Sequence, residues 1–248
     1  SHPDNYFLTQ WEKHFNNIHD FLPLAREFGY KGIVMTSWST SGLYGSTWES
    51  PKDIVDLYPI RRVYPLAGFN ILMEAYFEAL RSTKALDGEK FALAYAKSQY
   101  GFNAKQALKF WNALKANPYE INQGLISSKD ITITQMKDSA EWVLQAFETL
   151  KPKKNKSEYA HYILMSQIRL RYLKYMEIEM RLNSPDFELS ELVEMKKAVK
   201  ELLMMNYDAD FKRLNEDWMY AAEIEQENEL RNSKIRLLDA RLNRLGKQ

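Results

Sequence analysis

The stretch Gly32-Ile33-Val34-Met35-Thr36-Ser37-Trp38-Ser39-Thr40-Ser41-Gly42 decides how this chain is read. Ile33 to Met35 form a short apolar run after the punctuation Gly29-Tyr30-Lys31-Gly32. The run then changes abruptly into small hydroxyl residues around a single Trp. A strand buried on both faces is a continuous apolar run, and an α/β enzyme places its chemistry at the carboxyl end of such strands. The stretch therefore predicts one short strand near 33–38 that presents Trp38 to a ligand.

Working outward, Asn17 to Phe28 carries Ile18, Phe21, Leu22, Ala25 and Phe28 on one helical face. Leu66, Phe69, Met73, Tyr76, Phe77 and Leu80 repeat at three and four over Val63 to Ser82. Helix, glycine, strand, Trp-bearing loop and helix is the rhythm of a β/α barrel or a doubly wound sheet. One such unit cannot stand alone, because a lone parallel strand buries unpaired backbone groups. Either partner strands lie outside this sequence, or the run is extended chain packed on helices.

Past residue 84 the pattern is helical. Glu89 to Ser98 predicts a short helix stopped at Tyr100-Gly101, and Asn103 caps a helix with Ala107, Leu108, Trp111 and Leu114 on one face. Asn117-Pro118 ends that helix. Ile133 to Leu150 forms the next stripe, and the polar run Lys151 to Lys156 reads as a solvated loop. Tyr159 to Leu173 continues in another helix, and Asn183-Ser184-Pro185 breaks it. Leu189 to Leu203 makes a third helix. Phe211, Leu214, Trp218 and Ala221 read as a fourth, with the pattern continuing through Ile235, Leu238 and Leu242. Short polar breaks between long amphipathic helices imply antiparallel neighbours. The expected fold is mainly α: the last β/α unit of a TIM-type barrel over 1–84, a connecting helical pair over 85–128, and an antiparallel helical bundle over 129–248.

Phe28 to Ser39, followed some way on by the helix of Leu66 to Leu80, resembles the end of a family-20 glycoside hydrolase barrel. The likeness is to the hexosaminidase D branch and its bacterial relatives, and it covers roughly residues 15 to 82. The resemblance implies a β-N-acetylhexosaminidase-like parent that removes terminal N-acetylhexosamines. In that family a Glu acts as general acid and a neighbouring Asp orients the substrate's own acetamido group as nucleophile. The resemblance places that Asp-Glu pair upstream of Ser1, so this chain is expected to hold no catalytic residue and to be inactive alone. It also implies a carbohydrate partner, with the upstream part of the same barrel as the structural partner, in the periplasm or cytoplasm of a bacterium. Trp38 matches the Trp that walls the sugar subsite. Many members carry a Glu two residues later, where this chain has Thr40; Glu49 from the following loop is the candidate substitute. Tyr44 and Trp48 of that loop are the candidate stacking rings, against the alternative that they seal the loop onto the core.

Composition limits the rest. The 248 residues are 45% hydrophobic and 27% charged, with a net charge of +1 and no cysteine. That balance argues against a general nucleic-acid or anionic-membrane role, and no apolar run reaches the ~20 residues of a membrane span. Disulfides and thiolate metal sites are excluded. His14 and His19 are five apart, which misses the i, i+4 spacing of a helical metal pair, so no metal and no cofactor is expected. No phosphate-cradling glycine motif is present, and Ser37, Ser39 and Ser41 lack a nucleophile elbow. Asn155-Lys156-Ser157 fits a glycosylation triplet of a kind common by chance. The competing expectation is a helical binding or scaffolding module without catalysis.

Overall fold

A computed structural model describes residues 11–34, 66–116, 121–122, 125–126, 131–217 and 219–246. The fold is mainly helical. Helix α1 is Trp11–Glu27 and α2 is Leu66–Arg81. Helices α3 (Gly88–Tyr100) and α4 (Ala104–Lys115) follow, then a two-residue antiparallel ladder of β1 (Ile121–Asn122) with β2 (Leu125–Ile126). The remainder is α5 (Ile133–Thr149), α6 (Lys156–Leu182), a 3-10 turn at Leu189–Glu191, α7 (Leu192–Met204), α8 (Asp208–Asn215) and α9 (Ala221–Leu245).

Local chemistry sets these boundaries. The Asp87 side chain accepts from the Lys90 N–H to start α3. Gly101, at φ 69°, stops it, with its N–H on the carbonyls of Ala96 and Lys97. Glycine takes that left-handed conformation at no steric cost. Asn103 with Gln106, and Thr132 with Gln135, form reciprocal capping boxes at α4 and α5. Two features differ from expectation. The stripe through Phe211, Leu214, Trp218 and Ala221 is not one helix: α8 ends at Asn215, and Tyr220 in extended backbone caps a new helix, its N–H donating to Glu223. The apolar spacing happens to stay in phase across the break, so periodicity alone hides it.

The expected strand is the other difference. Ile33 and Val34 lie in irregular backbone, Ile33 packed against the core and Val34 86% exposed. That is the opposite of a strand buried on both faces, and no ladder partner flanks them among the described residues. Met35 to Trp38 lie outside the described residues.

Antiparallel packing organises the later helices. Tyr159 Oη donates to the Phe147 carbonyl at 2.9 Å, Lys174 pairs with Glu141 at 3.4 Å, and Lys137 pairs with Glu177 at 2.9 Å. Those pairs run in opposite order along α5 and α6, which fixes the two helices as antiparallel. The core is aromatic. Phe110 is fully buried, with ring centroids 5.6 Å from Tyr100, 5.2 Å from Tyr162 and 5.9 Å from Phe147. These rings come from α3, α4, α5 and α6, so the boundary expected near residue 129 runs through a shared core. Edge-on and tilted pairs at such distances add about 0.5–1.5 kcal/mol each beyond their area.

Candidate functional site

All five residues expected to line a sugar site, Trp38, Thr40, Tyr44, Trp48 and Glu49, lie outside the described residues. The structure describes what flanks them. Helix α1 buries Trp11, Phe15 and Leu22 against the core, Phe15 packing on Phe91 and Trp111 at 5.8 Å each. At its last turn, Arg26 Nη2 donates to the carbonyls of Ala79 at 2.7 Å and Leu80 at 3.0 Å, the last turn of α2. The two helices therefore end side by side, unlike an antiparallel hairpin, where the end of one adjoins the start of the next. The guanidinium also satisfies carbonyls that a helix C-terminus leaves open.

Beside this pair lies an open groove of about 540 Å³, lined by Ile18, Phe21, Leu22, Leu24, Ile33, Val34 and Tyr76, with Asn17 and Asp20 as its polar side chains. Phe21, Leu24, Phe77 and Leu80 are exposed on the same two helices, and Phe28 is exposed in the turn just after α1. The Tyr76 hydroxyl is buried without a hydrogen-bond partner among the described residues, and burial raises its pKa. Asp20 is the one carboxylate among the described lining residues, so those residues offer apolar contact and no paired acid and base.

Two polar clusters were not anticipated from sequence. In the first, the Glu158 carboxylate at the start of α6 accepts from Asn70 Nδ2 at 2.9 Å, Tyr95 Oη at 3.1 Å and Tyr100 Oη at 2.7 Å. It ties α2 and α3 to α6. Burial, reinforced by the nearby carboxylate, raises the pKa of both phenols, so they remain donors at any ordinary pH. One turn on, His161 is buried and hydrogen-bonded to the Leu214 carbonyl; desolvation pulls its pKa down to about 4. It is a neutral imidazole at pH 7.

The second cluster surrounds Arg231, 1% exposed, whose guanidinium stacks 4.0 Å from the Phe211 ring and pairs with Asp208 at 3.8 Å. Desolvation lowers its pKa to about 10. Arg171 donates to the Leu202 carbonyl at 3.0 Å and to Asn232 Oδ1 at 2.8 Å, and Asn232 donates to Asp208. Arg171, Asn232 and Asp208 link α6, α7, α8 and α9, which suits holding helices together, while Arg231 Nε and Nη1 are buried without a hydrogen-bond partner among the described residues.

His19, weighed in sequence as a metal ligand and set aside, has its Nδ1 2.7 Å from the Leu86 carbonyl. No group of three or more His, Asp or Glu close enough to hold a metal occurs among the described residues. No described helix is long and apolar enough to cross a membrane. Comparison with models of known families, with curated proteins and with solved structures finds no match to this chain.

Proposed function

We propose that this chain is the C-terminal part of a glycoside hydrolase similar to the β-N-acetylhexosaminidases, in which residues 1–84 close a (β/α)8 barrel and the later helices form an accessory bundle. The observation that supports the reading is the side-by-side ending of α1 and α2 through Arg26. Successive helices of a β/α barrel run in the same direction because each is followed by a strand returning through the sheet. The 38 residues between Glu27 and Leu66 leave room for such a return. The exposed apolar side chains of both helices are of the kind a parallel sheet covers. In this reading Trp38, Thr40, Tyr44, Trp48 and Glu49 face an N-acetylhexosamine, and the acid lies elsewhere in the parent. A second reading, a helical scaffolding module, is favoured by the continuous aromatic core over α3 to α6 and by the absence of a paired-carboxylate cleft among the described residues.

The test is Trp38→Ala in the full-length parent, read by both melting temperature and kcat/KM on a nitrophenyl N-acetylhexosaminide. A ring that stacks on sugar stabilises only the bound state, so kcat/KM falls while the melting temperature holds. Truncating a core Trp instead costs ~3–5 kcal/mol of stability. A drop of many degrees with unchanged efficiency in the folded fraction refutes the site. Absence of any turnover by the parent refutes the hydrolase.

A further inference from the structure

Seven lysines converge on one end of the helical body. The turn joining α3 to α4 and the loop joining α5 to α6 lie against each other there: the Lys153 N–H donates to the Tyr100 carbonyl at 2.8 Å, and Asn155 Nδ2 donates to the Gln99 carbonyl at 3.1 Å. Lys109 Nζ crosses from α4 to Thr149 Oγ1 at the end of α5, at 2.6 Å. This contact brings Lys97, Lys105 and Lys109 to the same corner as Lys151, Lys153, Lys154 and Lys156. Six of the seven are exposed and Lys109 is half-buried. None forms an ion pair among the described residues, so their charges face solvent unneutralised. Two carboxylates are near. Glu148 is exposed, and Glu158 turns inward to Asn70, Tyr95 and Tyr100.

A structural role accounts for two of these lysines. Lys97 and Lys151 lie at the C-terminal ends of α3 and α5, where a cation complements the helix dipole, and Lys151 Nζ donates to the Glu148 carbonyl. Lys109 is held by its hydrogen bond to Thr149 between α4 and α5. The other four, Lys105, Lys153, Lys154 and Lys156, have no such explanation. The whole-chain charge of +1 thus averages a strongly basic corner with a net acidic remainder. Among the lysines stands one exposed large apolar side chain, Leu108, between Lys105 and Lys109 on α4. Among the described residues the corner presents no arginine and no exposed aromatic ring, so they supply neither the fork that reads phosphate geometry nor a platform for bases.

We propose that this corner is a docking surface for an anionic lipid membrane, with the lysines over the headgroups and Leu108 at the interface. Clusters of four to eight basic residues bind such surfaces through summed charge, and the attraction is lost with salt. The surface is independent of any sugar site.

The test uses the full chain and sedimentation with phosphatidylcholine vesicles, with and without about 30% phosphatidylserine. Binding is expected only with the anionic lipid, and it disappears near ~0.5 M salt. The triple variant K153Q/K154Q/K156Q should bind at least about tenfold more weakly. Its melting temperature should match the parent's, since these side chains are exposed. A control variant, K196Q/K197Q/K200Q on α7, should bind as the parent does. Lack of binding to anionic vesicles at low salt, or equal loss in the two variants, overturns the proposal. So does binding to a DNA duplex or to heparin without binding to vesicles.

Discussion

Acidification should destabilise this protein through one buried imidazole. His161 is 2% exposed, and its pKa is held near 4 by desolvation, with Arg213 adding to that effect and Glu158 opposing it. An unfolded histidine titrates near ~6.5. The folded pKa is the lower of the two, so the stabilising contribution is complete above the unfolded value. It is lost as pH falls from ~6.5 toward 4, because the unfolded chain takes up a proton that the folded chain refuses. With those two values the loss between pH 7 and pH 5 is about 2 kcal/mol. Among the described residues the carboxylates held low, Asp87 by the Lys90 N–H, Asp186 by Ser184 and Glu191 by Arg181, stay ionised in the folded protein between pH 7 and pH 5. Urea unfolding at pH 7 and pH 5 measures the difference, with His161→Gln as the control that keeps a donor for the Leu214 carbonyl without titrating. The parent should lose about 2 kcal/mol more than the variant over that interval. Equal losses, or an imidazole proton resonance that titrates near 6.5, refute the reasoning.

Two further perturbations probe packing. Glu158→Gln replaces one acceptor oxygen with a donor that faces Asn70 Nδ2; it should cost about 1–3 kcal/mol and lower the melting temperature by several degrees in a calorimetric scan. Phe110→Ala empties the centre of the ring cluster and should cost about 3–5 kcal/mol in chemical denaturation, the largest single effect among the aromatic positions of α4.

Helices were legible where apolar spacing and caps agreed. Asn103 and Gly101 marked their boundaries because each has one physical use there, an N-cap and a left-handed stop. The expected strand differs over Ile33 and Val34, while Met35 to Trp38 lie outside the described residues. Three apolar residues after a glycine describe a strand and an irregular segment equally, and Val34 is exposed where a buried strand was expected. The ladder of Ile121–Asn122 with Leu125–Ile126 was too short for periodicity. Glu158 was hidden because Lys156, Ser157 and Glu158 look like any solvated helix start; its three donors arrive from helices far away in sequence. The lysine corner was visible only in part, since Lys97, Lys105 and Lys109 join it through packing. The five candidate sugar contacts remain a reading of the residues.

The Glu158 carboxylate also bears on the order in which the chain assembles. Its partners lie 58, 63 and 88 residues away in sequence. The α3–α4 and α5–α6 pairs, by contrast, close over short connections and can form early, since closing a short loop costs little entropy. The three donors can gather on one carboxylate only after both hairpins have met and α2 has been laid across them. Glu158 therefore belongs to the late, unfolding-limiting side of the barrier: its removal should speed unfolding far more than it slows folding. The residue that fastens the assembly would then act mainly as a brake on its release.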